Sequence, residues 1–296
     1  MIEGVTGGRR AQPLAAAAVV VITLIAGGCG ERSEPTGAEV GVYPITLVDG
    51  SDRPITIAAP ARRIALLDPS LEDLVVALGA GERLAGTPVN SAGRLRPAAL
   101  SALHADLVVA SSALEGSILS QAAAVSRAPV YVVPDTSIRG VERAISQLGL
   151  ITAKPAAARH LVHVIEEQRR AVAARFGGVP RTMVFVDLGD FKGASDQSLI
   201  GDLVREARGR NVTGRGASSG LIGLDELLRA DPDVYVATSD SGVTLRELRS
   251  NPRTRKLAAV RLGRVVIIGS RLLTPSPALG RGLEQLARAL HPNAAG

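Results

Sequence analysis

The sequence predicts an α/β protein made of two Rossmann-like βαβ lobes joined by one long linking helix. Three observations carry that prediction. Short apolar runs alternate with helical patterns from residue 64 to the C-terminus. One uninterrupted helical pattern, residues 154–176, splits the alternation into two halves. The halves resemble each other: residues 99–112 (ALSALHADLVVASS) align with residues 226–239 (ELLRADPDVYVATS). They share a helix end, an Asp, an apolar strand and small hydroxyl residues, with Asp106 and Asp233 in register 127 residues apart. Residues 128–133 (APVYVV) match 263–268 (GRVVII), and the run from Arg63-Ile64 matches the run from Arg181-Thr182-Met183. Three pairs in one order argue for an internal repeat.

In chain order, residues 43–57 (YPITLVDGSDRPITI) read as a hairpin, two alternating runs around Asp49-Gly50-Ser51-Asp52. Residues 64–67 read as a strand, followed by a helix through 72–78 that stops at Gly79. A helix over 98–103 leads into a strand at 107–110, and a strand at 130–133 lies between Pro129 and Pro134. The linking helix starts at Lys154 with Pro155 in its first turn. Leu161, Val164, Ile165, Val172 and Phe176 form its apolar stripe, and Gly177-Gly178-Val179-Pro180 ends it. At 1.5 Å per residue it reaches about 35 Å. Beyond it come a strand at 184–186, a helix at 199–207, a helix at 224–228 and a strand at 234–237. A strand at 265–268 and a helix over 279–290 close the chain.

The N-terminus has a separate logic. Arg9 and Arg10 precede an apolar run over 14–25, which ends in Leu24-Ile25-Ala26-Gly27-Gly28-Cys29. Charged start, short apolar run and small residues are the marks of a secretory signal. The run is short for a membrane span. Cys29 is the only cysteine, so no internal disulfide forms and the mature chain depends on packing. The small-residue triplet closing on cysteine resembles the lipobox of bacterial lipoproteins; the alternative is an ordinary signal with one spare thiol. The resemblance implies acylation of Cys29, removal of residues 1–28 and a chain anchored at the outer face of the cell membrane. Residues 29–42, with the polar run GERSEPTGAEVGV, then form the tether. Losing residues 1–28 removes Arg9, Arg10 and Glu3, which takes the net charge from +6 to +5. The arginines are scattered and aromatics make up 2% of the chain, which argues against a nucleic-acid partner.

Residues 61–86 (ARRIALLDPSLEDLVVALGAGERLAG) carry a family resemblance. They are similar to the opening of the ABC-transporter solute-binding proteins for iron–siderophore, haem and cobalamin, the helical-backbone periplasmic binding proteins. Residues 103–109 resemble that family's L-K-P-D-L-V segment, with Ala105 in place of proline. Asn211-Val212, residues 230–234 (ADPDV) and 263–268 match second-lobe landmarks, so the likeness covers about residues 43–292. It implies an N-terminal lobe over 43–150, a linking helix over 151–178, a C-terminal lobe over 179–296, and a ligand between the lobes. It further implies a monomer that serves an ABC permease/ATPase complex, with no cofactor of its own. The expected solute is a small-molecule metal chelate of the iron–siderophore type. Cobalamin or haem is the alternative, as is a sensing or scaffolding surface lipoprotein of the same fold.

Doubly wound lobes bind ligands at loops after the carboxyl ends of strands. In the first lobe these loops hold Pro69, Ser70, Asn90 and Ser111, with Asp135-Thr136 beyond. In the second they hold Asp190, Phe191, Lys192 and Arg271, with Arg281 nearby. Cations there suit a carboxylated or catecholate ligand. Ser70 has a competing role as a helix cap with Asp73. The family pairs an acid on each lobe with permease arginines. The matching second-lobe position is Asp225, beside Glu226, whereas the first-lobe position is Ala98. His160 and His163 have helical spacing but no third ligand, so no metal site is expected. Ser70, Ser218 and Ser219 lack a partnered base and no P-loop is present, so catalysis is not expected.

Overall fold

A computed structural model describes residues 43–214 and 222–294. The expected signal, Cys29 and the tether lie outside the described residues, as do Ser218 and Ser219. The hairpin forms as expected. Strands β1 (Ile45–Val48) and β2 (Pro54–Ile57) pair antiparallel, Ile45 opposite Ile57. Asp49 Oδ1 accepts from the amides of Ser51 and Arg53 at 2.8 and 3.1 Å, which fixes the turn. Gly50 N donates to Val132 O at 2.7 Å, tying the turn to the neighbouring sheet.

Lobe 1 contains β3 (Ile64–Leu66), α1 (Glu72–Ala77), β4 (Leu84–Gly86), α2 (Pro97–Ala102), β5 (Leu107–Ser111), α3 (Gly116–Ser126), β6 (Val130–Val133) and α4 (Ile138–Ile151). Its sheet is parallel, in the order β4-β3-β5-β6. After the linking helix α5 (Pro155–Phe176), lobe 2 contains β7 (Thr182–Asp187), α6 (Leu199–Glu206), β8 (Gly209–Asn211), α7 (Leu224–Ala230) and β9 (Val234–Thr238). It continues with α8 (Leu245–Ser250), α9 (Ala258–Arg261), β10 (Val265–Ile268) and α10 (Leu279–Leu290). Its sheet is also parallel, ordered β10-β9-β7-β8. Counted from each lobe's first sheet strand, both sheets run second, first, third, fourth. The central strands β5 and β9 are buried along their whole length, as a sheet covered on both faces requires.

The repeat has a physical signature. Asp106, just before β5, accepts from the amides of Arg62 and Arg63 at 2.8 and 2.9 Å. Asp233, just before β9, accepts from the amide of Met183 at 2.9 Å. In both lobes an Asp at the start of the third strand holds the start of the first. The pairing also corrects the alignment of the lobe openings. Arg63 corresponds to Met183, two residues past Arg181, because β3 pairs Ile64 with Leu107 while β7 pairs Val184 with Val234.

Helix α5 buries Ala158, Ile165, Val172 and Phe176. Its Arg169 fastens both lobes at once. Nη1 lies 3.0 Å from Glu142 of α4, and Nη2 lies 2.7 Å from Glu206 of α6. Nearby, Asp202 Oδ2 of α6 accepts from the amide of Ile138 at 2.8 Å, capping lobe 1's α4 from lobe 2. Both lobes lie within one compact unit, residues 38–296. No helix among the described residues is long and apolar enough to cross a membrane.

Candidate ligand-binding cleft

In lobe 1 the loop after β3 is closed by Asp68, whose Oδ1 accepts from Ser70 N at 2.9 Å across a single 3-10 turn. Helix α1 has no side-chain cap, so the Ser70–Asp73 capping box does not form. Pro69 and Ser70 are therefore exposed at the strand end. Asn90 is also exposed, but its Oδ1 already accepts from the amides of Ala92 and Arg94, at 3.0 and 2.9 Å. Ser111 ends β5 and donates to Asp135 Oδ2 at 2.6 Å. Ser112 donates its hydroxyl and its amide to the other oxygen, so two adjacent serines converge on one carboxylate beyond β6.

In lobe 2 the loop after β7 is wound tightly. Gly189, Asp190 and Phe191 follow one another at positive φ, +117°, +52° and +59°. That conformation is unusual for a bulky residue and costs on the order of 1–3 kcal/mol. Leu188 N bonds Lys192 O, and Lys192 N bonds Gly189 O, each at 2.8 Å. Beneath the loop lies the fully buried carboxylate of Asp187. It accepts from Gly189 N at 2.8 Å and from the Tyr235 hydroxyl. Burial pushes the Asp187 carboxyl above its usual range and raises the Tyr235 phenol, whose hydrogen bond to Asp187 raises it further. Asp187, Asp190, Phe191, Ser241 and Glu247 help line a cavity of about 250 Å³.

Beyond β9 and β10, Ser239 and Ser270 share a hydrogen bond of 3.1 Å. Arg271 is exposed, and its Nε reaches Asp73 Oδ2 of lobe 1 at 3.7 Å, linking the two sets of loops. Such an exposed pair is worth little energetically. Arg281 sits exposed in the first turn of α10. Among the described residues, the seven positions after each strand of the two parallel sheets hold Asp68, Glu72, Asp73, Glu115, Asp135, Asp190 and Asp240. Only Arg139, Lys192 and Arg271 oppose them. A net basic chain thus has acidic strand ends.

The outer helices differ between lobes. The first turn of α7 carries Asp225 and Glu226, and Asp225 is ion-paired with Arg253. The first turn of α2 has no acid; its exposed start is Arg96, Pro97 and Ala98. His163 pairs with Glu167 at 3.1 Å, and no group of three His, Cys, Asp or Glu residues suited to a metal occurs among the described residues.

Residues 80–272 match the family model described as periplasmic binding protein. The chain belongs to that family. It is 21% identical to an uncharacterized ABC transporter substrate-binding lipoprotein of Bacillus subtilis, over 94% of this chain and 96% of the relative. It is 25% identical to a cobalamin-binding protein of Halobacterium salinarum, over 96% of this chain and 85% of the relative. Among solved structures, a nickel- and histidine-bound CeuE of Helicobacter pylori superposes with a TM-score of 0.76 at 16% identity, covering 85% of this chain and 90% of that one. That likeness shows the bilobed fold. The chain is a solute-binding protein of ABC import, and its family binds and delivers solutes rather than transforming them.

The sequence had marked the loops that carry Ser111, Asp135 and Phe191. It had not marked Asp187, because an Asp at a strand's last position reads as the start of a turn. Its one available signal was Tyr235, a phenol in an otherwise aliphatic strand.

Proposed function

We propose that this chain captures a neutral or cationic metal chelate, foremost a cobalamin-type corrinoid, between its lobes, and delivers it to an ABC importer. Lipid on Cys29 would hold it at the outer face of the membrane. The observation that carries the ligand class is the acidic, hydroxyl-rich set of strand ends. Carboxylates and serine oxygens accept hydrogen bonds, and a corrinoid's peripheral amides donate them. A strongly anionic ferric catecholate would meet like charge there, at a cost that rises with desolvation. The relative named as a cobalamin-binding protein supports the same reading. Ser70, Ser111, Asp190 and Phe191 are the proposed contacts, with Pro69, Asn90 and Lys192 at the rim. Arg271 would lie at the rim beside Asp73, and Arg281 would be peripheral.

A second reading, a receptor that senses rather than transports, is favoured by the bare first turn of α2. In it, Asp225 and Glu226 would have no counterpart acid on lobe 1. A thermal-shift panel on the full chain tests the solute class. It would hold cyanocobalamin, haem, a ferric hydroxamate, ferric citrate and a ferric catecholate. A ligand that binds only the folded state raises Tm with concentration. The expected result is a shift with cyanocobalamin and none with the catecholate; a catecholate shift alone would overturn the proposal. Solute uptake by cells carrying the chain and its permease separates transport from sensing.

A further inference from the structure

The end of lobe 2 farthest from the ligand-side loops is crowded with arginines. Arg181 immediately precedes β7, Arg208 precedes β8 and Arg264 precedes β10. Each spends its guanidinium on a backbone carbonyl rather than a carboxylate. Arg181 donates to Gly209 O at 3.1 Å, Arg208 to Val179 O at 3.0 Å, and Arg264 to Leu290 O at 3.2 Å. Arg210, one residue into β8, is exposed. Among the described residues none of these four arginines makes an ion pair. Burial lowers the pKa of His291, and the charges of Arg208 and Arg264 lower it further.

A cavity of about 270 Å³ lies between α6 and β8, with Arg181 from this end in its lining. Its charged and amide lining is Arg181, Arg205, Arg210, Asp196 and Asn211. Arg205 is already paired with Asp202, and Asp196 is the one carboxylate in the lining. Asn211 is committed to the fold, its amide nitrogen bonded to Ala194 O at 2.5 Å. That leaves Arg181 and Arg210 lining one cavity, neither with an ion pair of its own.

We propose that this cavity binds a phosphate-bearing anion, held chiefly by Arg181 and Arg210. Guanidinium groups match phosphate oxygens as planar, two-pronged donors, and each such bond is charge-assisted. The space suits a phosphate group and is too small for a corrinoid. The anion would offset repulsion between cations that the fold itself leaves unpaired. It would be either a free phosphate compound or a phospholipid headgroup, and it would bind independently of the solute.

The test titrates the full chain with inorganic phosphate and, separately, sediments it with phosphatidylglycerol or phosphatidylcholine vesicles. Arg210→Gln, Arg210→Lys and the double variant Arg181→Gln/Arg210→Gln are compared with the native chain. Far-UV circular dichroism and solute binding at the other end of the lobe confirm that each variant is folded. Loss of one bidentate contact should weaken binding about tenfold in Arg210→Gln and less in Arg210→Lys. The double variant should lose it, and added salt should weaken every case. Arginine-dependent binding of free phosphate identifies a soluble ligand. Dependence seen only with phosphatidylglycerol vesicles identifies a headgroup. If neither phosphate nor phosphatidylglycerol separates the native chain from a folded double variant, the proposal is wrong.

Discussion

Lobes 1 and 2 are built on one plan, yet they keep their carboxylates in different places. In lobe 1, Ser111 and Ser112 at the end of the third strand point at Asp135 beyond the fourth, in a partly open cluster. The lobe-2 equivalents are Thr238, Ser239 and Ser270, and there the fourth-strand acid has become a serine. Lobe 2 instead buries Asp187 at the end of its first strand, bonded to Tyr235 of its third. The matching lobe-1 residues are Leu67 and Val108, both buried and apolar. Lobe 1 therefore keeps its carboxylate in a partly exposed cluster of hydroxyls beyond its strands. Lobe 2 uses its charge to hold a strained loop, Gly189–Lys192, in place. A repeated scaffold can keep its strand order while each copy takes a different task, because the strand ends are free to vary.

The largest expected effect concerns what both lobes share. Arg169→Ala would strip a partner from the nearly buried Glu142 and the partly exposed Glu206. Leaving them unpaired should cost about 3 kcal/mol, read from urea unfolding, and should loosen the lobes relative to each other. Equal stability in that variant would remove α5 as the common clasp.

The strand-start clamps should rank next, and unequally. Asp106 accepts two backbone amides and Asp233 one. Asp106→Ala should cost about 2 kcal/mol and Asp233→Ala about 1 kcal/mol, taking roughly 1 kcal/mol for each bond lost. Identical losses would mean that the repeat is geometric only.

Making lobe 2 resemble lobe 1 sharpens the contrast. Tyr235→Phe alone leaves Asp187 short of a donor and should cost about 1–2 kcal/mol. Asp187→Leu with Tyr235→Phe removes both partners and should be nearly neutral for stability while weakening solute binding through the loosened loop. Asp187 also gives a pH signature. Its folded pKa is raised, so its contribution to stability is complete below the unfolded value of 3.8 and is lost as pH rises through the folded one. Asp187→Asn should abolish that loss, visible as a flatter Tm against pH on the acid side.

The smallest effect belongs to His291, whose ring bonds Ala207 O at 3.1 Å and whose pKa is depressed below 6.5. Its stabilisation is present above the unfolded value of 6.5 and is lost as pH falls through the depressed folded value. His291→Gln should flatten the Tm slope between about pH 7 and 5; an unchanged slope would place that titration elsewhere.

Much of the fold was legible because strands such as β6 (VYVV) and β10 (VVII) are four residues of pure Val, Ile and Tyr near Pro or Gly. Val130–Val133, Val265–Ile268 and Leu279–Leu290 come out at the residues expected. The elements passed over have physical reasons. Strand β8 is Gly-Arg-Asn, which has no apolar alternation. Helix α3 is rich in Ala and Ser, which blurs its stripe. Helix α4 did carry a signal: Ser137 caps it, and Ile138, Val141, Ile145 and Leu148 mark its face. At the strand ends the sequence marked the loops beyond the carboxyl ends of the strands, but not how their charges pair. Arg271 and Lys192 suggested an anionic ligand until folding brought Asp73 to Arg271 and gathered acids from separate segments.

Calorimetric titration of the full chain with cyanocobalamin and with a ferric tris-catecholate, side by side, tests the central claim most directly. One-to-one binding of the corrinoid is expected, weakened in Asp135→Asn and in Phe191→Ala, with no heat from the catecholate. Saturable binding of the catecholate with none of the corrinoid would contradict it.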